Sequence, residues 1–171
     1  MKDILSEIIA NKRFEIDLQK QAIPSEQLQE KLSDEIQPGY SMKQALTSSS
    51  TGIIAEFKRR SPSKGWIYED ARPEQVVPEY AASGASALSI LTDEKFFGGS
   101  LKDIRTARPL VNIPILRKDF IIDEYQLYQA KIVGADAVLL IAAALDTEKC
   151  HALAEKADEL GLEVLLEIHT A

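Results

Sequence analysis

From Ile53 onward the chain alternates short apolar runs with segments of helical character, and this alternation narrows the possible folds more than any other feature. The apolar runs fall near residues 53–58, 87–92, 114–118, 137–142 and 163–168. Helices are expected between them, near 73–83, 100–108, 123–133 and 147–160. Pro73 suits a first helical turn, and Gly84 lies just past the end of that helix. Asp123 can cap the third of these helices and Gly134 can end it, while Thr147 and Gly161 bracket the fourth. Strands that are apolar on both faces and alternate with helices form βαβ units, and so a parallel sheet with right-handed crossovers.

The first fifty residues follow another pattern. Ile4, Ile8, Ile9 and Phe14, set among Glu7, Lys12 and Arg13, predict an amphipathic helix reaching toward Gln21. Pro24-Ser25 opens a short polar helix near Glu26–Leu32, and Ser41 caps a third that runs through Leu46. The chain therefore divides into a helical extension, 1–50, and a sheet-forming part, 51–171.

Three of the apolar runs end in charge, always at the C-terminal end: Ile53-Ile54-Ala55-Glu56-Phe57-Lys58, Ile115-Leu116-Arg117-Lys118-Asp119-Phe120 and Val164-Leu165-Leu166-Glu167-Ile168-His169. Side chains alternate along a strand, so Glu56 and Lys58 share a face with Ile54, Lys118 with Leu116, and Glu167 with Leu165. Burying an unpaired charge costs several kcal/mol. Meeting that cost at three strand ends points to a polar site on one rim of the sheet. A doubly wound sheet would need helices on both faces and a switch point. A (β/α)₈ barrel places its active residues at the C-terminal ends of successive strands, and the barrel is the expected fold. Only five strands are present where a closed barrel has eight, so the expectation is the first five units of one.

Net charge is −7, which argues against a general nucleic-acid binder but leaves room for an anionic small molecule at a local basic site. Cys150 is the only cysteine, which fits a reducing cytoplasm. Met1-Lys2-Asp3 leads into an amphipathic stretch rather than a signal peptide, and no apolar run approaches the ~20 residues of a membrane span.

Within the rim, Lys118 can act as a general acid, as a Schiff-base nucleophile, or as one half of an ion pair with Glu56 or Glu167. Glu167 can serve as a base, an electrostatic stabiliser or a counter-ion. The segment Lys58-Arg59-Arg60-Ser61-Pro62-Ser63-Lys64 could bind phosphate or carboxylate, or be a solvated loop. Ser89 shares the inward face of the second strand and reads as a small core residue. Phe97, in Phe96-Phe97-Gly98-Gly99-Ser100, could wall a site. Cys150 and His151 lack metal-ligand spacing.

At these residues the chain resembles the indole-3-glycerol phosphate synthase family of tryptophan biosynthesis. Ile54-Ala55-Glu56-Phe57-Lys58-Arg59-Arg60-Ser61-Pro62-Ser63 is similar to the family signature. The run Leu88 to Ser100, the run Pro114 to Ile121, the run Gly134 to Ile141, and Leu165-Leu166-Glu167-Ile168-His169 resemble its second to fifth strands, in order. The resemblance implies a (β/α)₈ lyase with no metal or organic cofactor, acting on 1-(2-carboxyphenylamino)-1-deoxyribulose 5-phosphate. Ring closure would be followed by loss of carbon dioxide and water. Lys118 would be the general acid on the ketone oxygen, and Glu167 the base or stabiliser of the cationic intermediate. Lys58 would contact anionic groups and assist dehydration, and Glu56 would hold the lysines and substrate hydroxyls. Ser61, Phe97, Phe120 and Leu139, with Ser89, would line the pocket. Three further strands would supply the phosphate loop, so the chain alone is expected to be nearly inactive and prone to self-association through two sheet edges, whereas the full-length form would be a monomer or weak dimer. Rival readings are a Schiff-base aldolase using Lys118 and a non-catalytic barrel fragment.

Overall fold

The computed structural model describes residues 3–32 and 36–170; Met1-Lys2, cited above for the chain start, and Ala171 lie outside the described residues. Three helices come first: α1 (Ile4–Ala22), α2 (Ser25–Glu30) and α3 (Met42–Ser48). The sheet strands are β1 (Ile54–Phe57), β2 (Ala87–Leu91), β3 (Ile115–Lys118), β4 (Ala137–Ile141) and β5 (Glu163–Glu167). Between them run α4 (Pro73–Ala82), α5 (Leu101–Ala107), α6 (Glu124–Val133) and α7 (Thr147–Glu159). Among the described residues no helix is long and apolar enough to cross a membrane.

Local chemistry sets these boundaries. Asp3, Ser41, Ser100, Asp123 and Asp146 each accept a backbone N–H in the first turn of their helix. At α6 the cap is reciprocal, because Gln126 also receives the Asp123 N–H at 3.1 Å. Gly134 ends α6 with φ 98°, a conformation that costs a side-chain-bearing residue energy. Asp146, rather than Thr147, caps α7.

The five strands are parallel and lie in sequential order, β1-β2-β3-β4-β5, with no switch point. Every connecting helix packs on one face of the sheet, where Leu88, Ile90, Ile115, Val138 and Leu140 meet Val77, Ile104, Leu127, Leu153 and their neighbours. The opposite, concave face carries Ala87, Leu116, Ala137, Leu139 and Ile141, closed at its N-terminal end by Met42 of α3. One-sided helices and sequential order distinguish barrel units from a doubly wound sheet. Strands β2 and β4 are buried along their whole length, but every residue of β5 is at least partly exposed, and Ile54 of β1 is exposed. Both outer strands leave an unpaired edge among the described residues.

The helical extension differs from expectation in one respect that matters later. Ile8, Ile9, Lys12 and Ile16 form the buried face of α1, whereas Phe14 is exposed. Residues 8, 12 and 16 are one helical turn apart, so a lysine occupies a core position and the phenylalanine does not.

Candidate active site

Alternation along the strands does what the charge pattern demands. Ile54 and Glu56 of β1, Ser89 of β2, Leu116 and Lys118 of β3, Leu139 of β4, and Leu165 and Glu167 of β5 line one cavity of about 460 Å³ on the concave face. Its floor is apolar and its rim is charged. Lys118 Nζ sits 2.9 Å from Glu56 Oε2, and Lys58 Nζ lies 3.4 Å from Glu56 Oε1. Ser89, directly opposite Glu56 in the sheet register, donates its hydroxyl to Glu56 Oε2 at 3.1 Å. Ser89 is thus both a small buried residue and a partner of the rim carboxylate.

Burial alone would raise the Glu56 carboxyl. The Lys118 hydrogen bond and charge outweigh it, together with Lys58 and the Ser89 hydroxyl, and hold Glu56 below its usual range. Of the two counter-ions open to Lys118 from the sequence, Glu56 is the one it pairs with. Glu167 reaches the same cavity with β4 between it and β3, and its Oε2 lies 3.2 Å from His169 Nε2. The site therefore holds a lysine paired with Glu56 on one side and, on the other, a second carboxylate that reaches the cavity beside His169.

The remaining expected residues are distributed unevenly. Leu139 lines the cavity floor. Phe97 and Phe120 do not line it, but their rings pack against each other in a tilted arrangement with centroids 5.8 Å apart, tying the loop after β2 to the loop after β3. Ser61 is buried in a two-residue hairpin, Arg60–Ser61 against Gly65–Trp66, where its hydroxyl accepts the Lys64 N–H at 3.2 Å. Arg59 cannot serve as a free anion-binding group. Its guanidinium grips Asp103 through two bonds of 2.6 and 2.9 Å and also donates to the Ala71 and Gly98 carbonyls. Arg60 donates to the Lys95 carbonyl and lies over the Trp66 ring. A second cavity, of about 480 Å³, opens between α1 and the loops before α6 and α7, and none of the charged strand ends lines it.

Sequence reasoning missed a buried ionic cluster directly behind the rim. Lys12 Nζ lies 2.7 Å from Asp93 and 3.1 Å from Asp119, and all three side chains are almost wholly buried. Asp119 also accepts from the Thr92 hydroxyl at 2.6 Å and from Arg117 at 3.3 Å, and Arg117 in turn donates to the Gln126 carbonyl. Arg117 faces outward by the same alternation that turns Lys118 inward. The signal for Lys12 was its helical spacing from Ile8 and Ile16.

Burial would raise the Asp119 carboxyl, but Arg117, Lys12, Thr92 and the Phe120 N–H hold it below its ordinary value. A depressed folded-state value gives stability that is present above the unfolded-state value and is lost as pH falls through the folded one. Asp119, Glu56 and Asp123 all shift this way. The midpoint of thermal unfolding is therefore expected to hold steady from neutral pH to about 5 and to fall steeply below about 4. Melting curves followed by circular dichroism from pH 7 to 3 check this, and a flat profile down to pH 3 would contradict the ionic assignment.

Comparison with known proteins identifies the family. A family model described as indole-3-glycerol phosphate synthase matches residues 5–171. A Bacteroides thetaiotaomicron protein named indole-3-glycerol phosphate synthase is 80% identical over 171 residues, covering 100% of this chain and 65% of its own length. Proteins of the same name from Neisseria meningitidis serogroup B and Burkholderia ambifaria are 47% and 44% identical, each over 99% of this chain and 66% of their own length. The chain thus spans just under two thirds of the length of these relatives. With a family match across nearly its whole length and a charged rim on parallel strand ends, the chain belongs to the indole-3-glycerol phosphate synthase family.

Proposed function

We propose that the rim of β1, β3 and β5 is the acid–base part of an indole-3-glycerol phosphate synthase site, acting on 1-(2-carboxyphenylamino)-1-deoxyribulose 5-phosphate. The observation that carries this reading is the paired Lys118–Glu56 rim sharing one cavity with Glu167. In the first step the ring carbon bearing the carboxylate bonds to the ketone carbon, and Lys118 gives a proton to the ketone oxygen. Glu167 faces the cationic ring system that results and stabilises it until carbon dioxide leaves and its bonding electrons return to the ring. The new hydroxyl then departs as water. Lys58 supplies a proton to it, and Glu167 accepts the one released as the indole forms. Glu56 lies 2.9 Å from the Lys118 ammonium and 3.4 Å from that of Lys58, and so fixes both at the rim. Rigid strand ends hold these groups in place, the condition under which positioning lowers a barrier most.

The pairing of Lys118 with Glu56 speaks against a Schiff-base aldolase, in which the lysine must be neutral to attack a carbonyl. Borohydride treatment in the presence of substrate separates the two readings, since only the aldolase reading leaves substrate attached to Lys118.

The phosphate would be gripped by elements outside these five strands, because Arg59 and Arg60 are already engaged. The 171-residue chain alone is therefore expected to give no more than a trace of indole-3-glycerol phosphate. Its apolar outer strands, with Val164, Leu165 and Leu166 all exposed in β5, are expected to make it self-associate. Sedimentation velocity over a concentration series, paired with a fluorescence assay for product, tests both. Turnover by the isolated chain at the rate of a full-length relative would overturn this reading. When the chain is joined to the part of the Bacteroides thetaiotaomicron relative that it does not cover, product and carbon dioxide should appear in equal amounts.

A further inference from the structure

The buried ionic cluster links the helical extension to the rim by a route that the proposed chemistry does not use. Lys12 is 1% exposed on α1, yet its ammonium faces Asp93, the second residue after β2, and Asp119, the first after β3. Each acid also organises its own loop. Asp93 accepts the Phe96 N–H through its carboxylate at 2.9 Å and the Gly99 N–H through its carbonyl at 2.8 Å, closing the turn that presents Phe97. Asp119 accepts the Phe120 N–H at 2.7 Å and directly follows Lys118. The two loops then meet again where the rings of Phe97 and Phe120 pack together. One ammonium thus holds together two loops that would otherwise present two buried carboxylates to each other, with Arg117 near Asp119 alone.

Lys12 also pairs with Glu15 of its own helix at 3.1 Å, but its two buried partners are the residue next to the proposed acid and the residue that closes the turn carrying Phe97. We propose that Lys12 is a positioning residue, whose buried ammonium sets the separation of the β2 and β3 loops and, through Asp119 and the Phe97–Phe120 pair, the placement of Lys118. Its meaning for catalysis rests on the reading of Lys118 as the acid, whereas the geometry can be tested without turnover.

The test uses the 171-residue chain with isotope-labelled phenylalanine rings and lysine side chains. The native chain and Lys12→Arg, which keeps a cation within reach of both acids, should show a nuclear Overhauser cross-peak between the Phe97 and Phe120 rings and the same Lys118 side-chain resonance. Lys12→Met should remain folded by circular dichroism yet lose the cross-peak and shift the Lys118 resonance. Because Lys12→Met leaves Asp93 buried without a counter-ion, the double variant Lys12→Met/Asp93→Asn is examined beside it. That variant removes the uncompensated charge and leaves Asp119 paired with Arg117, and it too should fold and lose the ring contact. Folded variants that keep the native cross-peak and Lys118 resonance would overturn the proposal. Failure of both the single and the double variant to fold would also overturn it, by assigning Lys12 to stability alone. Neither result depends on which substrate the site takes, so each can be told apart from a failure of the proposed reaction.

Discussion

Lys118→Met, introduced into this chain joined to the part of its Bacteroides thetaiotaomicron relative that it does not cover, is expected to lower kcat by roughly 10²–10⁴-fold, the usual worth of a positioned general acid. Methionine keeps the length and apolar stem of the side chain and removes only the proton donor. The fold should tolerate the change. Lys118 and Glu56 are both partly exposed, with side chains 37% and 28% accessible, and such pairs contribute about 1 kcal/mol or less. Glu56 also keeps Lys58 at 3.4 Å and the Ser89 hydroxyl at 3.1 Å. The loss should therefore appear in kcat with little change in thermal midpoint. Steady-state kinetics and a melting curve on the same preparation give both numbers. A variant that turns over within ten-fold of its parent would remove Lys118 from the chemistry.

The second large effect lies at the other end of the sheet and concerns stability. Asp136, just before β4, accepts from Arg108 at 2.5 Å, from the Ile115 N–H at 2.8 Å and from the Tyr40 N–H at 2.9 Å. One buried carboxylate thus joins the approach to α3, the end of α5 and the start of β3. Gly39 approaches it so closely that an added Cβ would fall 2.0 Å from Asp136 Oδ1, so the backbone there has been drawn against this acid. Asp136→Ala leaves a guanidinium and two N–H groups without their acceptor. Breaking a buried pair by removing one partner costs about 3–5 kcal/mol. At about 2–4 °C per kcal/mol for a chain of this size, the unfolding midpoint should drop by roughly 6–20 °C. Asp136→Asn retains one acceptor oxygen and should fall between. Calorimetry on the three proteins checks the order, and a shift of about 1 °C for the alanine variant would show that the latch carries little.

Where the sequence succeeded, the relevant property was local. Strand alternation is fixed by backbone geometry within a few residues, so the inward placement of Glu56, Lys118 and Glu167 could be read from their spacing from Ile54, Leu116 and Leu165. Helix boundaries followed from caps two or three residues away, as at Ser41 and Asp123. The short segments near helix ends were less certain for the same reason: Asp146 and Thr147 are both competent caps, and only the backbone shows that Asp146 accepts the Lys149 N–H.

Where it failed, the property was a distance between residues far apart in the chain. Lys12 and Asp119 are separated by more than a hundred positions, and Tyr40 and Asp136 by 96. Arg59 suits either an anion-binding site or a solvated loop by sequence, and takes neither role because Asp103 is bonded to both its terminal nitrogens. Phe14 looked apolar enough for the core, but its side of α1 faces solvent while the face bearing Lys12 meets the sheet.

The residue pattern by itself determined that this chain builds parallel βα units and sets a charged rim on one end of them, because helix and strand periodicity are properties of neighbouring residues. Which charge pairs with which was decided by folding: Lys118 takes Glu56, Glu167 reaches the cavity beside His169, and the Lys12 ammonium is drawn into the interior behind them. Coulombic pairing acts through space, and its strength depends on burial and separation, neither of which exists until the strands are laid side by side.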